Sequence, residues 1–305
     1  MSARRPPALR PGSRIRIVAP AGAVSRARLE ESFLSLKSLG FVVSLGDHLW
    51  QRQGYLAGSD AMRAHDLEMA LTDDAIDGVF LARGGWGTMR SLALVDVQRV
   101  AGSRPKVVLG YSDITALHAF LERLGWVTFH GPMAEADWQT FNGQEALRIL
   151  QGGSGLIGSS ALEHLCQGSQ PSAEVCAPFV GGNLSVVCSL LKTPFEIAVA
   201  DRVLYLEEVN EPPYRIDRMM TQLRLAGILN RARAVVFGEA TNCRADPELE
   251  DYSAKDVVVQ QCQAAGVDLF WGLAAGHGPV KWTLPLSWPL TIENGWVRLE
   301  EPSVI

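Results

Sequence analysis

The fold is decided by the stretch Lys106-Val-Val-Leu-Gly-Tyr-Ser-Asp-Ile-Thr-Ala-Leu-His118. Val107 to Leu109 is an apolar run that predicts a buried strand, Gly110 breaks it, and apolar residues from Ile114 to Leu124 then recur at helical spacing. Ser112 therefore lies on a strand-to-helix turn, beside the free N–H groups of a helix's first turn. Nucleophilic serines of α/β hydrolases occupy such a turn, but Ser and Asp are also ordinary helix N-caps. This stretch alone leaves both interpretations open.

The rest of the first half predicts the sheet to which this turn belongs. Strand-like runs alternate there with segments of helical spacing, and such alternation is typical of a parallel sheet covered by helices. The predicted strands are Arg14 to Ala19, Phe41 to Leu45, Ile76 to Ala82, Val107 to Leu109 and Trp126 to Phe129. The sequence therefore predicts an α/β fold whose N-terminal part is a doubly wound, mostly parallel sheet of the flavodoxin or class I glutamine amidotransferase type.

The periodic pattern stops between Asn142 and Pro178, where Gly and Ser are frequent. We therefore predict an N-terminal domain over 1–150, a linker over 151–177 and a smaller C-terminal α/β domain over 178–305. Near the end of the chain, Asn294-Gly295 lies between two short strand-like runs and is a strong signal for a hairpin turn.

Composition argues against nucleic-acid and membrane partners. The chain has a formal net charge of −5 and no basic stripe interleaved with aromatic residues. No apolar run approaches the roughly 18 residues of a membrane span. The basic N-terminus leads only into the short run Ile15 to Ala19, so we expect no signal peptide and a cytoplasmic location.

The cysteines indicate neither a disulfide framework nor a metal site. There are five of them, scattered along the chain and without a C-x-x-C pair. No cluster of His, Cys and Asp has metal-ligand spacing, and no phosphate-binding glycine motif follows the first strand. We therefore expect reduced thiols, no metal and no cofactor.

A nucleophilic serine needs a base and a group that orients the base. Among the six histidines, His118 lies on the helix that follows Ser112, and three others lie in polar or helical contexts. His130 and His277 both occur as His-Gly-Pro, and His277 lies in a glycine-rich loop that can present its ring. The residues themselves favour His277 over His130 only slightly.

Two further segments carry polar groups that follow predicted strands. Glu207-Glu208 end the apolar strand that starts at Val203, and acids at the carboxyl end of buried strands are often catalytic or ligand-binding. Arg83-Gly-Gly-Trp-Gly87 follows another strand and offers unobstructed backbone N–H groups, as a phosphate cradle or an oxyanion hole requires.

Several of these segments together resemble one enzyme family. Gly110-Tyr-Ser-Asp-Ile-Thr-Ala-Leu-His118, Arg83-Gly-Gly-Trp-Gly87, Leu206-Glu-Glu-Val-Asn-Glu-Pro-Pro-Tyr-Arg-Ile-Asp-Arg218 and Gly276-His-Gly278 are similar to blocks of the LD-carboxypeptidases, or muramoyltetrapeptide carboxypeptidases. Gly181-Gly-Asn-Leu184 also matches, and the resemblance runs from Pro11 almost to the end of the chain. The family consists of serine peptidases with a Ser-Glu-His triad.

The resemblance implies a role for each of five residues. Ser112 would be the nucleophile, His277 the general base and Glu207 the acid that orients His277. The N–H groups of Asp113 and Gly85 would form the oxyanion hole, although Gly84 or Trp86 could supply the second donor. Glu208 stands where Asp is at least as common in the family, which leaves the choice of Glu207 slightly open.

The implied reaction is hydrolysis of the bond between the L-centre of a diamino acid, meso-diaminopimelate or lysine, and a terminal D-alanine. The substrate would be a cytoplasmic murein tetrapeptide in peptidoglycan recycling. Its free carboxylate requires a cation, for which Arg83 and Arg215 are candidates. Trp86, where the family often has Tyr, would line the pocket. A homodimer is expected by analogy only.

Two other functions remain as alternatives. One is an amidase of the microcin-immunity type, which cleaves an aminoacyl–nucleotide bond and clamps the base with an aromatic residue between the domains. Residues 142–178 contain no Phe, Trp or Tyr, which argues against it. The other is a binding module that keeps the fold without turnover, although Ser112, Glu207 and His277 are all present.

Overall fold

The computed structural model describes residues 3–168, 174–245 and 252–305. These residues form two compact units. The first unit comprises the described residues of 1–154, 283–287 and 301–305, and the second comprises those of 155–282 and 288–300. None of the helices within the described ranges is long and apolar enough to cross a bilayer.

The first unit is built on a six-stranded sheet in the order β12-β5-β4-β3-β1-β2. Strands β1 to β5 are parallel, and β12 pairs antiparallel with β5. The strands are β1 (Arg14–Val18), β2 (Val42–Leu45), β3 (Gly78–Leu81), β4 (Val107–Gly110), β5 (Thr128–His130) and β12 (Leu284–Leu286). This order confirms the predicted doubly wound, mostly parallel sheet.

Helices of the first unit connect these strands and cover the sheet. They are α1 (Arg26–Ser38), α2 (Asp60–Thr72), α3 (Thr88–Leu92), α4 (Val97–Gly102), α5 (Thr115–Arg123) and α6 (Phe141–Leu150). A short 3₁₀ turn over Ser112–Ile114 joins β4 to α5. The core between the layers contains Ile15, Ile17, Phe80, Leu109 and Phe129, all fully buried. Burial of each such side chain stabilises the fold by about 1.5–3 kcal/mol.

The second unit is built on an eight-stranded mixed sheet in the order β6-β14-β13-β8-β9-β10-β11-β7. Its strands are β6 (Gly155–Ile157), β7 (Glu163–Cys166), β8 (Glu174–Asn183), β9 (Val203–Val209), β10 (Ala234–Thr241), β11 (Leu269–Trp271), β13 (Pro289–Glu293) and β14 (Trp296–Leu299). Its helices are α7 (Leu184–Leu190), α8 (Pro213–Leu225), α9 (Ile228–Arg231) and α10 (Ala254–Ala265). Strands β8 to β11 are parallel to one another, and the outer strands are antiparallel.

The predicted domain boundaries need two corrections. Strands β6, β7 and the start of β8 occupy the stretch 151–177, which the sequence predicts as a linker; residues 169–173 of that prediction lie outside the described residues. These strands hydrogen-bond to β14, β11 and β13, which are distant in sequence, so the local pattern reveals little of them. Residues 283–287 and 301–305, predicted in the C-terminal domain, belong to the first unit.

Candidate active site

Ser112 lies on a sharp turn between β4 and α5, as the sequence predicts. Its φ is 62°, in the left-handed region that non-glycine residues rarely adopt. Such a conformation costs on the order of 1–3 kcal/mol and persists only where the surroundings impose it. The Thr115 hydroxyl donates to the Ser112 carbonyl at 2.7 Å and so helps to hold the turn. The hydroxyl of Ser112 is thus presented at the carboxyl end of the sheet.

The glycine loop after β3 lies directly against the Ser112 side chain. A Cβ atom at Gly84 would be 3.0 Å from the Ser112 Cβ and 3.1 Å from its Oγ, so any larger residue there would press on the hydroxyl. Gly85 has a φ of +105°, which L side chains rarely adopt. These contacts place the loop beside the turn, where one of its N–H groups could serve as an oxyanion donor.

The Asp113 carboxylate joins the same turn to the start of α3. It accepts a hydrogen bond from the Thr88 N–H at 2.8 Å and is almost fully buried. Burial raises the pKa of Asp113, and the hydrogen bonds from Thr88 oppose that rise. Asp113 therefore fixes the position of the turn through its side chain, while its backbone N–H remains the predicted oxyanion donor.

The buried Arg63 side chain is bonded to the end of the glycine loop, at Gly87. The Arg63 guanidinium donates to the carbonyls of Pro20 and Gly87 and pairs with Asp60. Burial lowers the pKa of Arg63, and Asp60 opposes that effect. This side chain ties the segment after β1 to the segment after β3, and both of these segments flank the turn at Ser112.

Glu207 and His277 meet within the second unit. The His277 Nδ1 lies 2.6 Å from the Glu207 Oε2, and the Glu207 side chain is fully buried while that of His277 keeps 17% of its surface exposed. A carboxylate that accepts from Nδ1 leaves Nε2 as the outer nitrogen. This is the geometry in which a carboxylate orients an imidazole for general-base catalysis.

Glu208, the neighbouring acid, bonds to backbone and polar groups at the ends of β8 and β9 and at the start of α7. Its carboxylate accepts from the Asn183 amide at 3.1 Å, from the Ser185 N–H at 2.8 Å and from the Ser185 hydroxyl at 2.5 Å. These bonds attach β9 to the start of α7. The geometry therefore favours Glu207 over Glu208 as the partner of His277.

The loop that carries His277 is held on both sides. The buried Lys281 ammonium donates to the Gly276 carbonyl, and the Gly278 N–H donates to the Glu239 Oε2 at 3.2 Å. Burial lowers the pKa of Lys281, and the nearby Glu207 and Glu239 carboxylates oppose that effect. The sequence gives no sign that Lys281 and Glu239 hold this loop, because only the folded loop brings them next to residues 276–278.

Other candidate residues have different surroundings. His118 is buried and bonded to Thr128 and to the Gly110 carbonyl, and burial lowers its pKa to about 4, so it is a structural residue. His130 is also fully buried, on β5. Arg215 forms an ion pair with Glu211 at 3.2 Å. Arg83 donates to the Ala23 carbonyl at 3.0 Å, and Trp86 is exposed.

The candidate residues thus form one group in each unit. Ser112, Asp113 and the glycine loop lie together in the first unit, and Glu207 lies with His277 in the second. The approach of Ser112 to His277 stays a prediction. Over 3–168, 174–245 and 252–305 there is no group of three or more His, Cys, Asp or Glu residues arranged to hold a metal ion.

Comparison with known proteins relates both units to one family. The N-terminal domain model of the LD-carboxypeptidases matches residues 15–131, and the C-terminal domain model matches residues 177–292. A probable murein peptide carboxypeptidase of Bacillus subtilis is 34% identical over 92% of this chain and 89% of its own.

Solved structures agree with this relationship. The muramoyltetrapeptide carboxypeptidase of Oxalobacter formigenes has a TM-score of 0.79 and 26% identity over 94% of this chain and 98% of its own. The microcin C7 self-immunity protein MccF, solved with aspartyl sulfamoyl adenosine, has a TM-score of 0.86 over 99% of both chains. At 18% identity, MccF shows a shared fold only. The matches to both family models and to the Bacillus subtilis relative show that this chain belongs to the LD-carboxypeptidase family.

Proposed function

We propose that the protein is a serine carboxypeptidase that releases D-alanine from murein tetrapeptides by cleaving the bond between the diamino acid and D-alanine. The observation that carries the proposal is the 2.6 Å hydrogen bond between His277 and the buried Glu207, in a chain of this family. A fully buried carboxylate bonded to a partly exposed imidazole is suited to orient a catalytic base.

The reaction would begin at Ser112. His277 takes the proton of the Ser112 hydroxyl through Nε2, while its Nδ1–H donates to Glu207. The oxygen of Ser112 attacks the carbonyl of the diamino acid, and the resulting oxyanion accepts from the N–H groups of Asp113 and Gly85. His277 then gives its proton to the leaving amine of D-alanine. Water, activated by the same imidazole, hydrolyses the acyl-enzyme and restores Ser112.

The test is an assay for free D-alanine with a murein tetrapeptide as substrate. We expect Ser112→Ala to lower the rate by about 10⁴-fold or more, since loss of the nucleophile removes the covalent pathway. Circular dichroism and peptide binding should be unchanged. A variant that kept more than about one hundredth of the rate would exclude Ser112 as the nucleophile.

A second substrate in the same experiment distinguishes the carboxypeptidase from the amidase alternative. An aminoacyl sulfamoyl nucleoside is the ligand named for MccF, whose fold this chain shares. We expect release of D-alanine from the tetrapeptide and no release of nucleotide from an aminoacyl adenylate analogue. Nucleotide release without D-alanine release would replace the carboxypeptidase proposal with the amidase. If the protein turns over neither compound, the remaining alternative is a binding module without catalytic activity.

We further propose that the protein works in the cytoplasm, in peptidoglycan recycling, and as a homodimer. The murein peptide activity named for relatives of this family supports the first two statements. Analogy with the family supports the third. Cell fractionation checks the location, and light scattering coupled to gel filtration checks the oligomeric state.

A further inference from the structure

A cavity of about 630 Å³ opens on the surface of the first unit. Its walls include Gly22, Arg52, Tyr55, Arg83, Gly85 and Trp86. A volume of this size lies within the range of about 300–1,000 Å³ that small-molecule sites occupy. All the lining residues belong to the first unit, so the cavity is a property of that unit alone.

The sheet topology places the cavity where open α/β sheets bind ligands. The chain passes from β1 to β2 on one side and to β3 on the other, which gives the local order β2-β1-β3. Gly22 follows β1, and Arg83 follows β3, so the cavity lies outside the carboxyl ends of these two strands. This is the topological switch point, the usual ligand position in doubly wound folds.

Backbone hydrogen bonds fix the walls of the cavity. The Gly22 N–H donates to the Gly84 carbonyl at 3.1 Å, and the Ala23 N–H donates to the Tyr55 carbonyl at 2.9 Å. The Arg83 side chain spans the same gap by donating to the Ala23 carbonyl at 3.0 Å. Because three segments distant in sequence are bonded to one another, the site is preformed, which lowers the entropic cost of ligand binding.

The cavity presents two guanidinium groups without a carboxylate. Neither Arg52 nor Arg83 has an acidic partner within 4.0 Å in the described part of the chain. Seven other arginines of this unit pair with acids: Arg16, Arg26, Arg63, Arg90, Arg99, Arg104 and Arg148. Arg4, Arg10, Arg14 and Arg28 have no such partner in the described residues either, but none of these four lines the cavity. In a protein of net charge −5, two unpaired arginines at one cavity indicate an anionic ligand. Guanidinium groups bind carboxylates especially well, since two N–H groups can donate in parallel.

Gly85 connects the cavity to the proposed chemistry. It lines the cavity, and it is also the proposed second donor of the oxyanion hole. A ligand group held in the cavity therefore lies next to the bond that would be cleaved. Tyr55 and Trp86 are exposed at the rim and offer flat apolar surfaces to the adjoining part of a peptide.

We propose that this cavity is the subsite for a carboxylate adjacent to the scissile bond, and that Arg52 and Arg83 bind that carboxylate. The inference rests on the proposed function and names a substrate class for it: a peptide with a free carboxylate on one of the two residues that flank the cleaved bond. Two groups could supply this carboxylate. One is the terminal carboxylate of D-alanine, and the other is the side-chain carboxylate of diaminopimelate.

The experiment combines arginine variants with substrates that lack one carboxylate each. The variants are Arg52→Gln, Arg83→Gln and the double variant, with Arg28→Gln, an exposed arginine of α1, as the matched control. The substrates are the diaminopimelate tetrapeptide, the lysine tetrapeptide, and the two corresponding peptides that end in D-alaninamide. We measure kcat and KM for release of the last residue.

We expect the Arg52 and Arg83 variants to raise KM for the diaminopimelate tetrapeptide about 10- to 100-fold, the effect of losing one charge-assisted hydrogen bond of about 1.5–3 kcal/mol. The control should leave KM unchanged. If the effect disappears with D-alaninamide peptides, the terminal carboxylate is the ligand. If it disappears with lysine peptides, the diaminopimelate carboxylate is the ligand.

Two results would overturn the inference, and they differ from the failure of the proposed function. One is that the arginine variants keep the KM of the wild type. The other is that they change KM equally with every substrate. If the arginines bind a carboxylate, their effect on KM must be smaller with the substrate that lacks that carboxylate. In both cases the wild type still releases D-alanine. If the wild type cleaves none of the four peptides, the proposed function itself fails, and the inference with it.

Discussion

Glu207 and Glu208 show how adjacent residues of one strand acquire different roles. Successive side chains of a strand point to opposite faces, so the two carboxylates face different neighbours although both are buried. Glu207 bonds to the imidazole of His277, whereas Glu208 bonds to Asn183 and Ser185. The sequence places both acids at the end of a buried strand but cannot separate them, because their partners come from distant segments.

This difference predicts unlike effects for the same substitution. Glu207→Gln should lower kcat by about 10²–10⁴-fold, because the amide no longer stabilises the imidazolium and does not fix the tautomer of His277. Glu208→Gln should lower kcat far less and instead reduce the stability of the protein by about 1–3 kcal/mol, through the bonds to Ser185 and Asn183. Kinetics and urea unfolding check both. The opposite order would identify Glu208 as the catalytic acid.

Lys106, at the start of β4, carries a buried ammonium that has no hydrogen-bond partner in the described structure. Burial lowers the pKa of Lys106 from its ordinary value near 10.5 to about 8. Between pH 8 and 10.5 the unfolded chain therefore binds more protons at this residue than the folded chain. The contribution of Lys106 to stability rises with pH across that window.

We expect Lys106→Met to raise the free energy of unfolding by about 1 kcal/mol or more at pH 7, because a charged group no longer has to be desolvated. The gain over the wild type should shrink by pH 9.5, where Lys106 is already largely neutral in the folded protein. Urea unfolding at both pH values measures it, with the exposed Lys37→Met as control. A gain that does not change with pH would contradict this account.

The loop that carries His277 is rich in glycine but is held in place by neighbouring side chains. Glycine flanks His277 on both sides, which normally increases the freedom of a chain. Here a Cβ at Gly276 would lie 2.8 Å from the Glu207 Oε2, and a Cβ at Gly278 would lie 2.1 Å from the Glu239 Oε1. The glycines allow two carboxylates to approach the backbone, and Lys281 and Glu239 then hold it.

Lys281→Met should therefore reduce catalysis more than stability. We expect kcat to fall about 10- to 100-fold, the effect of a lost charge-assisted hydrogen bond to the Gly276 carbonyl, with KM changed much less. Lys255→Met is the control, because it removes a lysine that pairs on the surface of the same unit with Glu163. An unchanged kcat would show that the loop keeps its position without Lys281.

Elements with a strong local pattern were predictable, and edge strands were not. The predicted strands Arg14 to Ala19 and Val107 to Leu109 lie within one residue of β1 (Arg14–Val18) and β4 (Val107–Gly110). The predicted strand from Val203 to Glu208 likewise ends one residue before β9 (Val203–Val209) does. Strands β6, β7 and β12 are three or four residues long and take their hydrogen bonds from distant segments, so their short sequences carry no periodic signal.

At the scale of the whole molecule, the chain enters the first unit three times. Residues 283–287 return to it to add β12 beside β5, and residues 301–305 return to it again. The Ala8 N–H donates to the Ile305 carbonyl at 2.7 Å, and the Ile305 N–H donates to the Pro6 carbonyl at 2.9 Å. Composition and periodicity could not predict this arrangement, because it depends on contacts between the two ends of the sequence.

A chain that ends at Glu300 should therefore be less stable. It loses the two backbone hydrogen bonds to Ile305 and the buried side chain of Val304. Together these contacts are worth about 2–5 kcal/mol, which corresponds to a decrease in Tm of several degrees. Thermal unfolding by circular dichroism measures it. Removal of the exposed Ile305 side chain alone, in Ile305→Ala, keeps the backbone bonds and should change Tm little.

The return of β12 also affects the order in which the protein is made. A ribosome synthesises residues 14–130 first, and with them the five parallel strands of the first sheet. The free edge of β5 then has no partner until residues 284–286 emerge, after most of the second unit. An uncovered strand edge is prone to pair with other chains during synthesis. The unit that is translated first is therefore completed last, and the edge of β5 stays uncovered in the nascent chain until residues 284–286 arrive.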